Sequence, residues 1–384
     1  MQLRNVFAAT VLGGFCLLMA GSRPADIPFE KHQLDLGANE SAAVMDINGD
    51  GRLDIVSGEI WMEQPAKPGG KWIRHKFRDL YFENNYIDNF SDLPLDVNGD
   101  GKLDIVGCGW FGKKISWWEN PGKVGGIWKE HIVDNSSPNE FCFLVDMDND
   151  GKANELITQF GNAKQPAAWW EVKGGQFIKH EVSNMSYGHG IGVGDVNKDG
   201  RNDILTSQGW LEAPVDIRQG NWKFHADWKT EKHLGFIHVL DVNGDGRNDI
   251  VSTNAHDYGI FWMEQLADGK WKQNKIDDAW SQAHAMTVVD INGDGQKDLV
   301  TGKRFWAHDH DPGAQEPLGV YWYEYRKSAD GKKIDWIRHI IDYGGRTGAG
   351  MQIVVADIDG DGDLDVICPG KSGLFLFENL TKKK

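Results

Sequence analysis

The stretch from Lys303 to Gly313, KRFWAHDHDPG, sets His308 and His310 among Asp309 and Asp311 and closes on a turn-forming Pro-Gly. Imidazole and carboxylate are donors that zinc and similar divalent ions take. Two or three imidazoles, one carboxylate and an open coordination position can polarise a carbonyl or activate water. His189, His256, His284 and Glu140 are the further candidates for such a centre, with Lys303 and Arg304 placed to stabilise developing negative charge.

A second chemistry is written seven times. DINGDGRLDIV places Asp46, Asn48, Asp50 and Asp54 at positions 1, 3, 5 and 9, and DVNGDGKLDIV repeats this with Asp96, Asn98, Asp100 and Asp104. DMDNDGKANELI offers Asp146, Asp148 and Asp150 but has Asn154 at position 9. The later copies supply Asp195, Asn197, Asp199 and Asp203, then Asp241, Asn243, Asp245 and Asp249. Asp290, Asn292, Asp294 and Asp298 follow, and finally Asp357, Asp359, Asp361 and Asp365. Oxygen ligands at 1, 3 and 5, a Gly at 6, a carbonyl at 7 and a carboxylate at 9 can wrap calcium. An Asx-rich hairpin without metal would leave about three clustered carboxylates per loop with nothing to offset their repulsion. Seven divalent ions would bring the formal charge of −16 close to neutral, so the acidity reads as ligand charge. The third loop is expected to be the weakest.

The copies start 46 to 67 residues apart, a period that suits a four-stranded propeller blade. No Glu stands at position 12, and each motif runs into β-branched residues such as Ile55-Val56. Each loop therefore joins two strands, A and B. An aromatic or apolar residue followed by Glu recurs as Glu63, Glu119, Glu171, Glu212, Glu264, Glu324 and Glu378 on strand C. An aromatic, two residues and His recur on strand D as His32, His75, His131, His180, His225 and His339, with Asn274 as the exception. The last blade lacks its D strand, and the segment around His32 can provide it. The expected fold is all-β: a seven-bladed β-propeller with a calcium loop between strands A and B of each blade, closed by an N-terminal strand, as one domain over residues 23–384.

A residue present in every blade serves the blade, so the informative histidines are those that do not repeat: His189, His233, His238, His256, His284, His308 and His310. In an up-and-down blade the A–B turn sits on one face, while the B–C turn and D–A connection share the other. All of these except His238, which reads as a packed strand residue, are thereby expected opposite the acidic loops. His189 and His284 share a slot six residues before their loop aspartate with Glu40, Phe90, Glu140, Gly235 and Met351, at the start of the innermost strand. The distance from loop position 9 to the strand-C Glu is longest in blade six, 26 residues, which makes KRFWAHDHDPG a wall or lid over that face.

The chain of 384 residues is 40% hydrophobic, enough to bury a large core. Its acidic balance argues against nucleic acid, whose phosphates need a basic partner. Residues 1–22 combine Arg4, an apolar run of about 15 residues and the small residues Ala20 and Ser22. That run falls short of the roughly 20 residues of a bilayer span, so it reads as a signal peptide, implying a secreted or periplasmic protein with no membrane span after cleavage. Without it Cys108, Cys142 and Cys368 remain, an odd number whose spacing suits buried small hydrophobes.

At its acidic loops the sequence resembles FG-GAP-like, VCBS-type repeat proteins, calcium-binding propellers related in architecture to integrin α heads. Over 188–214 and 284–313 it is similar to the propeller of the aldos-2-ulose dehydratase family, which removes water from oxidised sugars with a metal's help. That narrower resemblance implies roles for His189, His284, Lys303, His308 and His310 and a keto-sugar or other carbohydrate substrate, for which the rings of Trp110, Trp210 and Trp306 are candidate stacking surfaces. The chain ends at Lys384 without the cupin domains of the fungal enzyme, so activity housed in them is not expected. Two functions follow: a metal-assisted lyase that performs β-elimination beside a sugar ketone, and a non-catalytic propeller that binds carbohydrate or protein. A glycoside hydrolase using Glu40 and Glu140 is a third, more distant reading.

Overall fold

The computed structural model describes residues 26–83, 86–230, 233–306, 308–331 and 333–382. The segment read as a signal peptide, with Cys16, lies outside the described residues. Among the described residues every regular element is a β-strand, and none is a helix able to cross a membrane.

Each acidic loop connects two antiparallel strands, as in the pair Ala43–Met45 and Asp54–Ser57, with Ile60–Glu63 and Ile73–Lys76 completing that sheet. The strand after each loop is the driest part of its sheet. Ile55, Val56, Ile105, Val106, Leu156, Ile157, Ile250 and Val251 are all at most 1% exposed. Burying one such side chain stabilises the fold by about 1.5–3 kcal/mol, and the faces of adjacent sheets share it. Val56 and Trp61 pack with Ile105 and Trp118 of the next sheet, while Val300 and Trp322 pack with Val366 and Phe377. The first strands touch one another: Ala43–Met45 lies against Leu93–Leu95 and Val354–Ala356, and Ala283–Val289 against Leu234–Leu240. These strands therefore line the axis of a propeller.

The expectation of seven separate blades is corrected. Five four-stranded blades stand as separate sheets, and the strands of the fourth and fifth repeats form one eight-stranded sheet. The join is a parallel pairing in which Ile191 meets Phe236 and Gly192 meets Ile237. Glycine makes it possible. A Cβ on Gly192 would lie 2.0 Å from the Ile237 carbonyl oxygen, and one on Gly194 would lie 2.7 Å from the Val239 Cβ. The run GHGIGVG thus lets two inner strands approach to hydrogen-bonding distance, which also presses His189 against Leu234. In the last sheet, strand Phe29–Asp35 pairs antiparallel with Gly373–Asn379.

The repeated Glu and His hold the outer strands together. His75 Nε2 lies 2.7 Å from Glu63 Oε2 while its ring stacks on Trp61, centroids 4.2 Å apart. Trp117, His131 and Glu119 repeat the arrangement, as do Trp169, His180 and Glu171. Trp210, His225 and Glu212 follow it too, and so do Trp322, His339 and Glu324. His32 meets Glu378 at 2.8 Å. Asn274 keeps the bond to Glu264 at 3.2 Å without the ring. Cys108, Cys142 and Cys368 are buried free thiols.

Candidate functional site

The acidic turns are built alike. Asp46 accepts the backbone N–H groups of Gly49, Asp50 and Gly51, which coils the loop and faces its oxygens inward. Asp54 accepts from Ile47 and Gln64, pinning the position-9 carboxylate beneath the loop. Burial first, then Asp50 and Asp46, push Asp54 up to about 6. Burial likewise pushes Asp203, Asp298 and Asp365 up to about 7.

The third loop departs from its expected weakness. Val145 pairs with Glu155, where Met45 pairs with Asp54 in the first sheet, so this loop is one residue longer. The Glu155 carboxylate accepts the Met147 N–H at 2.9 Å, the bond that position 9 makes elsewhere. Asp146, Asp148 and Glu155 bring oxygens within 4.8 Å of one another, as do Asp357, Asp359 and Asp365. Glu155 was missed in sequence because its Asn154 neighbour holds the expected position.

The non-repeating histidines converge on a cavity of about 1080 Å³ whose wall includes Glu140, His189, His233, His256, Arg304, His308 and His310. Ring centroids are 4.6 Å apart for His189 and His256, 5.1 Å for His256 and His284, and 4.3 Å for His256 and His308. His233 joins at 5.3 Å from His189. His238 stays outside, its Nε2 3.1 Å from the Met286 carbonyl, and burial lowers it to about 4.

The hydrogen bonds assign the histidine tautomers. His189 Nδ1 is 2.6 Å from the Leu234 carbonyl and His284 Nδ1 is 3.4 Å from the Gln282 carbonyl, whereas His256 Nδ1 is 3.2 Å from Asp311 Oδ2 as an ion-pair contact without a hydrogen bond. With Nδ1 carrying the proton, His189 and His284 turn a lone pair on Nε2 inward. His189 Nε2 lies 3.3 Å from His256 Nε2 and 3.1 Å from Glu140 Oε2, an ion pair when His189 is protonated. His284 Nε2 is buried with no partner. Burial first, then Arg304 and the neighbouring imidazoles, hold His284 well below the usual histidine range, and burial with His189 lowers His256 to about 2. Burial would raise the Glu140 carboxyl, but His189, Arg304 and His256 hold it well below the carboxylate range.

This donor set fits a divalent transition metal. Donor atoms of Glu140, His256, His284 and His308 all lie within 4.8 Å of one another. Neighbouring donors around a tetrahedral ion with bonds of ~2.0 Å are roughly 3.3 Å apart, so a small inward turn of the rings closes the set. Imidazoles whose second nitrogen is held by a carboxylate or carbonyl are the usual outer support of such ions.

Three expected roles change. Arg304 is 1% exposed and is shared between Glu40 Oε2 at 3.0 Å and Glu140 Oε1 at 3.1 Å, so it orients a candidate ligand from beneath. Lys303 turns away from the cavity and donates to Ser281 Oγ at 2.8 Å and the Gly313 carbonyl at 2.6 Å. It thus staples the two ends of the 303–313 loop. Trp210 is buried against His225, whereas Trp110 and Trp306 line the cavity. Trp306 carries φ 45°, a left-handed conformation that costs a bulky residue about 1–3 kcal/mol and gathers at functional sites. His310 lines the rim.

The aromatic part of the lining was not anticipated. Phe82, Tyr86, Phe90, Phe111 and Phe305 join the two tryptophans there, with Gln159 and Lys371. Phe90 holds the same slot before its loop as His189 and His284, the one sequence signal that placed any of them on this face.

Fold and turns together define an all-β propeller built on acidic repeats. Its sequence matches the FG-GAP-like repeat model over residues 96–157 and 241–301. No curated protein matches it. Among solved structures, BBS1N, crystallised in complex with ARL6DN, has a TM-score of 0.56 at 9% identity, over 92% of this chain and 97% of that one. The V. cholerae biofilm matrix protein Bap1 gives 0.48 at 11%, covering 94% and 92%. An Agrocybe aegerita lectin described as recognising non-reducing terminal N-acetylglucosamine gives 0.41 at 17%, covering 91% and 81%. At such identities the likeness to BBS1N concerns the fold alone.

Proposed function

We propose that this protein is a secreted, calcium-stabilised propeller that acts on carbohydrate as a metal-assisted carbon–oxygen lyase, eliminating a β-substituent beside a sugar ketone. The observation that carries this reading is the meeting of Glu140, His256, His284 and His308 within 4.8 Å, three of them lining a cavity large enough for a sugar and His284 buried behind them. A divalent ion bound there would polarise the ketone and acidify the adjacent C–H.

The chain's own groups supply the rest. His189, its Nδ1 fixed by Leu234, presents Nε2 beside the donor set, 3.1 Å from Glu140 Oε2, and serves as the base that takes the proton. Arg304 keeps Glu140 ionised and aimed. Trp110 and Trp306 offer faces for a sugar ring, and the loop stapled by Lys303 excludes water from one side. The narrower resemblance to the aldos-2-ulose dehydratase propeller supports the same chemistry through His189, His284, His308 and His310, though Lys303 now serves the loop. Calcium in the acidic turns is part of the reading because six position-9 carboxylates and Glu155 sit buried among other acids. Export rests on residues 1–22 and would be checked by the mature N-terminus in mass spectrometry.

The aromatic wall favours a second reading, a propeller that binds carbohydrate or protein without turnover. Incubation with a 2-keto sugar separates the two. The lyase produces a conjugated enone that His189→Ala abolishes while metal content is kept. Binding of the sugar with no enone from metal-replete protein would reject the lyase and leave the binder.

A further inference from the structure

Among the described residues of the cavity, one cation is in no direct ion pair, with Glu40 and Asp309 acting on it only from a distance. Arg304 is neutralised by Glu40 and Glu140, but Lys371, in the two-residue turn between Asp365–Gly370 and Gly373–Asn379, has no carboxylate within 4.0 Å among the described residues. Its Nζ donates to the Trp306 carbonyl at 2.5 Å and stands 3.4 Å from the Tyr86 ring centroid. One of three ammonium donors is thereby used. Burial first, opposed by Glu40 and reinforced by Arg304, lowers Lys371 to about 8. A lysine kept on a cavity wall, against an aromatic face and in no direct ion pair, is a ready partner for an anion brought by a ligand.

Its position gives that ligand a shape. Lys371, Tyr86, Trp110 and Trp306 line the same cavity as His189, His256 and His308. We propose that the cavity selects an acidic sugar, a uronate, whose carboxylate docks on Lys371 while its ring stacks on the aromatic wall and its hydroxyl or keto oxygens face the histidines. The proposal deepens the carbohydrate reading above and rests on it, but needs binding only. The left-handed Trp306 then has a reason: that turn directs its carbonyl to Lys371 and holds the ammonium at the wall.

Binding to the metal-replete protein tests this by calorimetry, with glucuronate and glucose as the carboxylated and neutral probes and glucose 6-sulfate as a different anion. Glucuronate is expected to bind at least about tenfold more tightly than glucose, the factor that about 1.4 kcal/mol confers. Lys371→Met should erase the preference while leaving glucose binding unchanged, and Lys371→Arg should keep most of it, both variants having the parent's melting temperature. Equal affinity for glucuronate and glucose, tighter binding of the sulfate, or a preference that survives Lys371→Met would each overturn the assignment. Failure of the elimination assay alone leaves this result standing, since the preference is read without turnover.

Discussion

The molecule holds two populations of histidine, and they differ in how fully their hydrogen bonds are spent. In the blades His75, His131, His180, His225 and His339 each stack on a tryptophan and place Nε2 on a glutamate. At the cavity His189 and His284 tie Nδ1 to backbone carbonyls, while Nε2 of His189 meets His256 and Glu140 and that of His284 has no partner among the described residues. A completed imidazole braces strands, whereas an incomplete one is held ready for something the chain does not supply. In the acidic turns the position-9 carboxyls are raised by burial, while Asp50, Asp100, Asp199 and Asp245 pair with Arg52, Lys102, Arg201 and Arg247.

The largest expected effect comes from the turns. Occupancy by calcium at 100 times its dissociation constant adds about 2.7 kcal/mol per site, so chelation of all seven sites should lower the melting temperature by roughly 20 °C. An unchanged transition in excess EGTA would remove calcium from the account.

The same carboxyls set the pH behaviour of the chelated protein. Burial raises Asp54 and Asp249 to about 6 and Asp203, Asp298, Asp365 and Glu155 to about 7, above their unfolded values. At these six carboxyls the calcium-free fold binds more protons than the unfolded chain, so their contribution is full below about pH 4 and is lost as pH rises to about 7. The depressed His238, His256 and His284 act in the opposite sense and lose theirs as pH falls. Saturating calcium should reverse that slope. A calcium-free melting temperature that climbs from pH 4 to 7 would contradict the assigned shifts.

Smaller effects separate the histidines. His75→Ala removes one stack and one hydrogen bond and should cost about 1–2 kcal/mol, with sugar affinity untouched. Loss of ligand binding in that variant would blur the distinction. Lys303→Met should cost about 1 kcal/mol and expose the 303–313 loop to limited proteolysis. A loop as resistant as the parent's would show that the staple to Gly313 is dispensable.

Much of this arrangement was legible because repetition in sequence becomes repetition in space: seven loops announced the sheets, and the histidines that broke the pattern gathered on one wall. What stayed hidden depends on distance or on single-residue register. Arg304 meets Glu40 across 264 positions, a pairing no spacing encodes, which is why it was taken for a substrate contact. Glu155 was concealed by one inserted residue. The fused sheet follows from Gly192 and Gly194, whose missing side chains let two inner strands meet where separate blades were expected. Lys371 lay in an ordinary hairpin turn, its importance created by the Trp306 carbonyl and the Tyr86 ring.

Transition-metal content of the purified protein tests the central contrast most directly, read for the parent, His284→Ala and His75→Ala after dialysis against excess calcium. The account predicts close to one zinc-like ion per chain in the parent and His75→Ala, and loss of it in His284→Ala with the fold retained. A parent that binds only calcium, or a His284→Ala protein that keeps its transition metal, would contradict it.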